Sequence, residues 1–262
     1  MPTFTRDGVE IHYEASGSGR PLMLVAGLAA DNAFWAPSLD ALSARCQLIV
    51  PDNRGSGRTT PLDAASTIRD MADDCMALAA RLGIAKVSLA GHSMGGMIVQ
   101  ECAARYPEAV DRIVLASTTP YASARDNGLF STWAALFAAA DRRLWFRNLF
   151  YWVLSPAFFA DGRNVDALVA LAASYEYQPT PASLANQVKA IAGFDARASL
   201  SSIRARTLVI AGTLDLLFPV AEAAAFARSI PHASFAPIEG AAHSFPIEAP
   251  EEFTQRVLDF LG

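Results

Sequence analysis

Cysteine is scarce in this chain: three in 262 residues, Cys46, Cys75 and Cys102. No two form a CxxC pair, so the sequence encodes neither a disulfide framework nor a thiolate metal site. The three read as small buried apolar residues, and reduced thiols suit the cytoplasm. Lysine is scarcer still, with Lys86 and Lys189 alone. Basic residues number 21 against 26 acidic, a net charge of −5, and the longest basic run is Arg142-Arg143. That excludes a nucleic-acid partner, because neutralising phosphates needs a basic patch. Long apolar runs are missing too. Residues 144–160 are the greasiest stretch, but Arg147, Asn148 and Pro156 interrupt it. It falls short of the roughly 18 uncharged residues of a membrane span, so no membrane partner is expected. Residues 1–10 carry Arg6, Asp7 and Glu10 and no apolar centre, which is not the pattern of a signal peptide. Apolar residues make up 52% and charged residues 18%, which excludes disorder. There is no HExxH, and no GxGxxG follows a strand, so neither a metal nor a dinucleotide cofactor is expected.

What is present is alternation. Short apolar runs suited to strands fall at residues 4–6, 9–14, 22–26, 48–50, 86–90, 112–116, 207–211 and 234–237. The first two flank Asp7-Gly8, a hairpin signal. Helical patterns occupy 34–42, 66–82, 93–106, 220–229 and 250–261. In the second of these, Ile68, Met71, Cys75, Leu78 and Leu82 recur at helical spacing and Gly83 closes the helix. Strands alternating with helices imply an α/β fold, a parallel sheet covered on both faces. Residues 121–197 break the rhythm with several helical segments, no strand and three of the four tryptophans. This segment reads as a helical cap inserted over one sheet edge, which splits the core domain into 1–120 and 198–262.

Gly91-His92-Ser93-Met94-Gly95 lies between an apolar strand and a helix. This is the context that a nucleophile elbow needs. Gly91 and Gly95 carry no side chains to clash across so tight a turn, and Ser93 is lifted above the strand ends. The Met94 N–H falls at the N-terminus of the next helix, where it can stabilise negative charge.

A serine hydroxyl needs a base. The chain offers four histidines. His12 reads as an exposed strand residue. His92, inside the elbow, cannot readily reach back to Ser93 and reads as packing. His232 follows Pro231 in a solvated turn. His243 lies between the last strand and the last helix, where loops of a parallel sheet gather ligand-contacting side chains. It is the best-placed base. An acid must then fix its tautomer. Asp215 follows a strand by one short turn among Leu216, Leu217, Phe218 and Pro219, where an unpaired carboxylate is costly. Glu222, within a helix, and Glu239, facing solvent, are weaker alternatives. The order Ser, Asp, His belongs to one fold and differs from those of the two large serine-protease folds.

On these residues the chain resembles the α/β-hydrolase fold family. Val25-Ala26-Gly27-Leu28, Asp52-Asn53-Arg54-Gly55-Ser56-Gly57, the Ser93 elbow, Gly212-Thr213-Leu214-Asp215 and Ala242-His243 carry the resemblance. It implies an eight-stranded, mostly parallel sheet with a helical cap after the sixth strand, and a Ser93–His243–Asp215 triad. It also implies an oxyanion hole from the Leu28 and Met94 N–H groups, and makes the Asp52–Gly57 segment a structural turn. Many relatives carry His-Gly where Ala26-Gly27 stands here, so a side chain that helps to hold that loop is missing. Leu28 through Trp35, and Trp152 through Phe158, are similar to 3-oxoadipate enol-lactonases and related small-ester hydrolases, which implies Trp35 and Trp152 as substrate-binding residues.

Serine at the elbow, rather than aspartate, implies acyl transfer through an acyl-enzyme. The expected activity is hydrolysis of a carboxylic ester or lactone, a small-molecule substrate, by a monomer or homodimer. A cofactor-free haloperoxidase (perhydrolase) or a carbon–carbon hydrolase of the same fold is the alternative, followed by a slow-turnover ligand receptor. Phe146, Phe150, Tyr151, Trp152, Phe158 and Phe159 make the cap aromatic and predict an apolar acyl pocket. A pocket lined by Arg142, Arg143 or Arg147 would instead favour a carboxylated lactone.

Overall fold

A computed structural model describes residues 2–262; Met1, with which the expected core segment begins, lies outside them. The strands are β1 (Thr3–Arg6), β2 (Val9–Ser16), β3 (Arg20–Val25), β4 (Cys46–Pro51), β5 (Val87–His92), β6 (Val110–Ala116), β7 (Arg206–Gly212) and β8 (Ala233–Ile238). They form one sheet in the order β1-β2-β4-β3-β5-β6-β7-β8. β1–β2 and β2–β4 pair antiparallel and every other pair is parallel. β1 and β2 form the hairpin that Asp7-Gly8 predicts, and both turn residues have positive φ.

Side chains alternate across a strand, so β3 sets both faces of the core. Leu22 and Leu24 pack with Trp35, Leu42 and Phe253. Met23 and Val25 pack with Met71, Leu78 and Ile98 on the other side. Helices α1 (Ala36–Ser43) and α11 (Pro250–Leu261) cover the first face. Helices α2 (Ile68–Arg81), α3 (Met94–Arg105) and α9 (Val220–Arg228) cover the second. Because both faces are buried, the central strands read as continuous apolar runs.

The predicted helix at 34–42 is divided. A 3₁₀ turn, Asn32–Trp35, comes first, and Asp31 caps it by accepting from the Ala33 N–H at 2.9 Å. Between β6 and β7 lie α4 (Ala124–Ala139), α5 (Arg142–Val153), α6 (Pro156–Phe159), α7 (Gly162–Ser174) and α8 (Pro181–Ala192). Tyr121 and Asp195 form an isolated antiparallel bridge where this insertion leaves and rejoins the sheet. The helices do not sit over a sheet edge as expected. Their side chains share a cavity with Leu28, after β3, and Ser93, after β5, so they lie over the C-terminal ends of the central strands. The short α10 (Phe245–Glu248) precedes α11. No helix among the described residues is long and apolar enough to cross a membrane.

His12 is not exposed. It is buried in β2 with Nδ1 3.1 Å from Asp52 Oδ2, because β2 lies inside the sheet beside β4. Asp52 is fully buried and accepts from the Asn32 and Arg58 N–H groups at 2.9 Å each. Arg54 is committed to Asp74, through Nε at 2.6 Å and Nη2 at 2.8 Å. The Asp52–Gly57 segment is therefore a structural turn. The three cysteines are buried and unpaired.

Candidate active site

β5 ends at His92 and α3 begins at Met94, which leaves Ser93 alone in the turn with φ +55° and ψ −118°. That conformation costs a non-glycine residue about 1–3 kcal/mol. A Cβ on Gly91 would strike the Gly95 carbonyl, and one on Gly95 would strike that of Val25. The turn is held by the Ser93 N–H on the Ala116 carbonyl at 2.9 Å, and by the Thr118 hydroxyl on the Ser93 carbonyl at 2.8 Å. The Met94 and Leu28 N–H groups meet no backbone acceptor among the described residues.

Asp215 follows β7, the neighbour of β6. Its Oδ1 accepts from the Leu217 and Phe218 N–H groups at 2.8 and 3.0 Å, and its Oδ2 lies 3.0 Å from His243 Nδ1. One carboxylate thus closes the turn ahead of α9 and orients the imidazole. Burial pushes the Asp215 carboxyl up, but His243 and the two N–H donors outweigh burial and hold it below the usual carboxylate range. With Nδ1–H directed at Asp215, Nε2 of His243 is left as the proton acceptor.

His92 is a support, not a base. Its Nε2–H donates to the His243 carbonyl at 2.9 Å, and its ring stacks on Phe34 at 4.6 Å. Burial, and then the neighbouring His243, push its pKa down to about 3, so it stays neutral. His232 is exposed. Glu222 is exposed on α9, and Glu239 is exposed and accepts from the Thr213 hydroxyl, so neither serves His243.

Ser93, His243 and Leu28 line one cavity of about 280 Å³. Its cap wall is apolar, with Phe130, Trp133, Trp145, Phe146 and Phe150. The two tryptophans expected to bind substrate lie elsewhere. Trp35 is fully buried beneath the sheet and stacks on Phe253 at 5.7 Å, because it ends the 3₁₀ turn that packs on α11. Trp152 is half-buried and outside the lining, although Trp145, Phe146, Leu149, Phe150 and Val153 of the same helix belong to it. None of Arg142, Arg143 and Arg147 lines the cavity. Arg142 lies over the Phe137 ring at 3.5 Å, and Arg147 pairs with Asp166.

Two sets of hydrogen bonds fasten the loop after β3 and the His243 loop to the cap. The loop that runs from Ala26 is held from α8. Gln187 is fully buried; its Oε1 accepts from the Ala29 N–H at 3.1 Å, and its Nε2 donates to the Arg54 carbonyl at 2.9 Å and Ser56 Oγ at 2.8 Å. Asn53 Nδ2 adds a bond to the Ala26 carbonyl at 2.9 Å. The one sequence signal for Gln187 is its place between Leu184 and Ile191 on the buried stripe of α8. On the His243 loop, the Ser244 N–H donates to the Val153 carbonyl at 2.8 Å. Glu248 accepts from the Ala242 N–H at 2.9 Å and from the Ser155 N–H at 2.7 Å.

Known proteins resemble the chain over nearly its whole length. The family model for the alpha/beta hydrolase fold matches residues 20–250. The protein named carbamate hydrolase RutD from Azorhizobium caulinodans is 28% identical over 100% of this chain and 98% of its own length. Among solved structures, a thermophilic esterase from Thermogutta terrifontis is similar at a TM-score of 0.87 and 27% identity, covering 99% of this chain and 96% of the esterase. The enol-lactonase from Burkholderia xenovorans LB400 is similar at a TM-score of 0.90 and 25% identity, covering 99% of both chains. A match that takes in all but the ends of the sequence shows the family: this chain belongs to the alpha/beta hydrolase fold family and is, at that level, a hydrolase.

Proposed function

We propose that the chain cleaves small carboxylic esters or lactones through an acyl-enzyme on Ser93. The observation that carries this reading is the strained Ser93 turn opening into the same cavity as His243, whose Nδ1 is held by Asp215 at 3.0 Å. Ser93 Oγ attacks the carbonyl carbon and gives its proton to His243 Nε2. The developing oxyanion is received by the Leu28 and Met94 N–H groups, at about 3–4 kcal/mol for each such donor in comparable enzymes. As the tetrahedral intermediate collapses, the alkoxide leaves with the proton from His243. Water then gives a proton to His243 and attacks the acyl carbon, and as this second intermediate collapses His243 returns the proton to Ser93 Oγ, releasing the acid and the free hydroxyl. Every step uses side chains and backbone of this chain.

The apolar wall supports an acyl group that is small to medium and hydrophobic or aromatic, and a cavity of about 280 Å³ sets the size. The test is hydrolysis of a p-nitrophenyl ester series, acetate to decanoate with benzoate and a lactone, by wild type and Ser93→Ala. Expected are activity on short or aromatic esters and its loss in the variant. Activity that survives in Ser93→Ala would overturn the reading. Carbamate cleavage is the second reading, favoured by the full-length similarity to proteins named carbamate hydrolase. A carbamate carbonyl would follow the same steps, and comparing kcat/KM on matched p-nitrophenyl carbamate and ester ranks the two.

A further inference from the structure

Resting on that reading of the site, we propose that Asp31 and Tyr175 form a charge-selecting subsite, which accepts neutral or cationic substrate groups and rejects those bearing a carboxylate. Asp31 stands three residues after Leu28 and lines the cavity while only 6% exposed. Its Oδ1 accepts from the Ala33 N–H at 2.9 Å and its Oδ2 from the Tyr175 hydroxyl at 2.7 Å. Both donors are neutral, so they satisfy the carboxylate without cancelling its charge. An ionised carboxylate has about four acceptor positions, and these bonds use two.

The surroundings hold no countercharge inside the cavity. Among the described residues, no lysine or arginine lines it. The guanidinium of this region is Arg58, which is outside the lining, over the Tyr177 ring at 4.2 Å and 3.5 Å from Glu14. Asp52, a second buried carboxylate, accepts from the Arg58 N–H at 2.9 Å and has His12 Nδ1 at 3.1 Å, whereas neither hydrogen bond to the Asp31 carboxylate comes from a cation. Tyr175 stays a donor, because burial and then Asp31 push its hydroxyl pKa up. In a small apolar enclosure charges are poorly screened. A substrate carboxylate there meets a negative charge and no lysine or arginine among the lining residues. An ammonium, N–H or O–H meets an acceptor with free positions.

The role is separable from structure, because Asn at position 31 keeps an oxygen for the Ala33 N–H while removing the charge. The experiment measures kcat/KM on two sets of esters for wild type, Asp31→Asn and Tyr175→Phe. One set varies the acyl side: p-nitrophenyl butyrate, mono-p-nitrophenyl succinate and p-nitrophenyl 4-(trimethylammonio)butyrate. The other places the same three charges on the phenol of a butyrate ester. Wild type is expected to prefer the neutral over the anionic ester by a hundredfold or more in at least one set. Asp31→Asn is expected to narrow that ratio at least tenfold and to lower the cationic-to-neutral ratio about tenfold. Tyr175→Phe, which leaves the carboxylate less shielded, is expected to keep or sharpen the rejection of the anion. Ratios unchanged by Asp31→Asn in both sets, or a rejection relaxed equally by Tyr175→Phe, would overturn the proposal while leaving the Ser93 chemistry intact. If no ester is turned over, the acyl-enzyme reading fails. Thermal-shift binding of phenylboronic, 4-carboxyphenylboronic and 4-(aminomethyl)phenylboronic acids then decides charge selection alone. Equal binding of all three, or of none, counts against it.

Discussion

The sheet and the five helices set over it meet the cavity in different ways. From the sheet side come Ser93, Asp215 and His243, each one turn beyond a strand end and each held by backbone bonds or strain. From the cap come Phe130, Trp133, Trp145, Phe146 and Phe150, which touch one another at ring distances of 5–6 Å and fill space. The first set depends on tenths of an ångström and the second on area. Changes on the sheet side should therefore act on rate. Changes in the cap should act on stability and on which substrate fits.

Asp215→Asn is the sharpest way to strain that contrast. An amide at Oδ2 favours the wrong His243 tautomer, and kcat on a p-nitrophenyl ester should fall about 10⁴-fold with an unchanged circular dichroism spectrum. Trp145→Ala is its counterpart in the cap. The indole is buried, donates to the Trp133 carbonyl at 2.9 Å and meets Phe137 edge-on. Urea unfolding should show a loss of about 3–5 kcal/mol, and the preferred acyl chain should lengthen as the wall recedes. A tenfold or greater loss in kcat on short esters, with no change in stability, would break the division.

Gln187→Leu crosses the boundary, since a cap residue there holds a sheet loop. The Ala29 N–H, the Arg54 carbonyl and the Ser56 hydroxyl lose their partner, and each such buried group costs roughly 1–3 kcal/mol. The fall in kcat should exceed the change in KM, because the Leu28 N–H shifts while the wall does not. His92 supplies a pH test. Its pKa near 3 in the folded chain lies below the unfolded value of about 6.5. Protonation therefore favours the unfolded chain. The contribution is fully present above pH 6.5 and is lost as pH falls toward 3, by about 2 kcal/mol at pH 5. In His92→Asn the stability between pH 7 and 5 should decline less steeply by that amount. The smallest effect belongs to Trp152→Phe, within about 0.5 kcal/mol in stability and near wild type in kcat/KM, because the ring does not reach the cavity.

The sheet was largely legible because its strands carry their own period and its turns their own glycines. All eight predicted runs overlap the observed strands. The pairing of Asp215 with His243 followed from the cost of a carboxylate among Leu217 and Phe218 and from the position of each at a strand end. What escaped notice depends on contacts far apart in sequence. His12 looks exposed until Asp52, 40 residues on, is seen beside it. Asp31 and Tyr175 stand 144 residues apart, and Ala29 and Gln187 stand 158 apart, with no local signal tying either pair. Trp35 sits in a segment similar to the enol-lactonases, yet the 3₁₀ turn rotates it into the opposite side of the sheet.

The bonds from Ser155 and Ala242 to Glu248, and from Ser244 to Val153, bear on how such a chain can be re-engineered. A lid exchanged with that of a homologue would normally be cut at the two points where it leaves and rejoins the sheet. Here such a graft would reposition the carbonyl of residue 153 and the N–H of residue 155, and so loosen a histidine 48 residues beyond the point where the lid rejoins the sheet. A functional chimera would need residues 242–248 transplanted with the lid, as a third piece from the same donor.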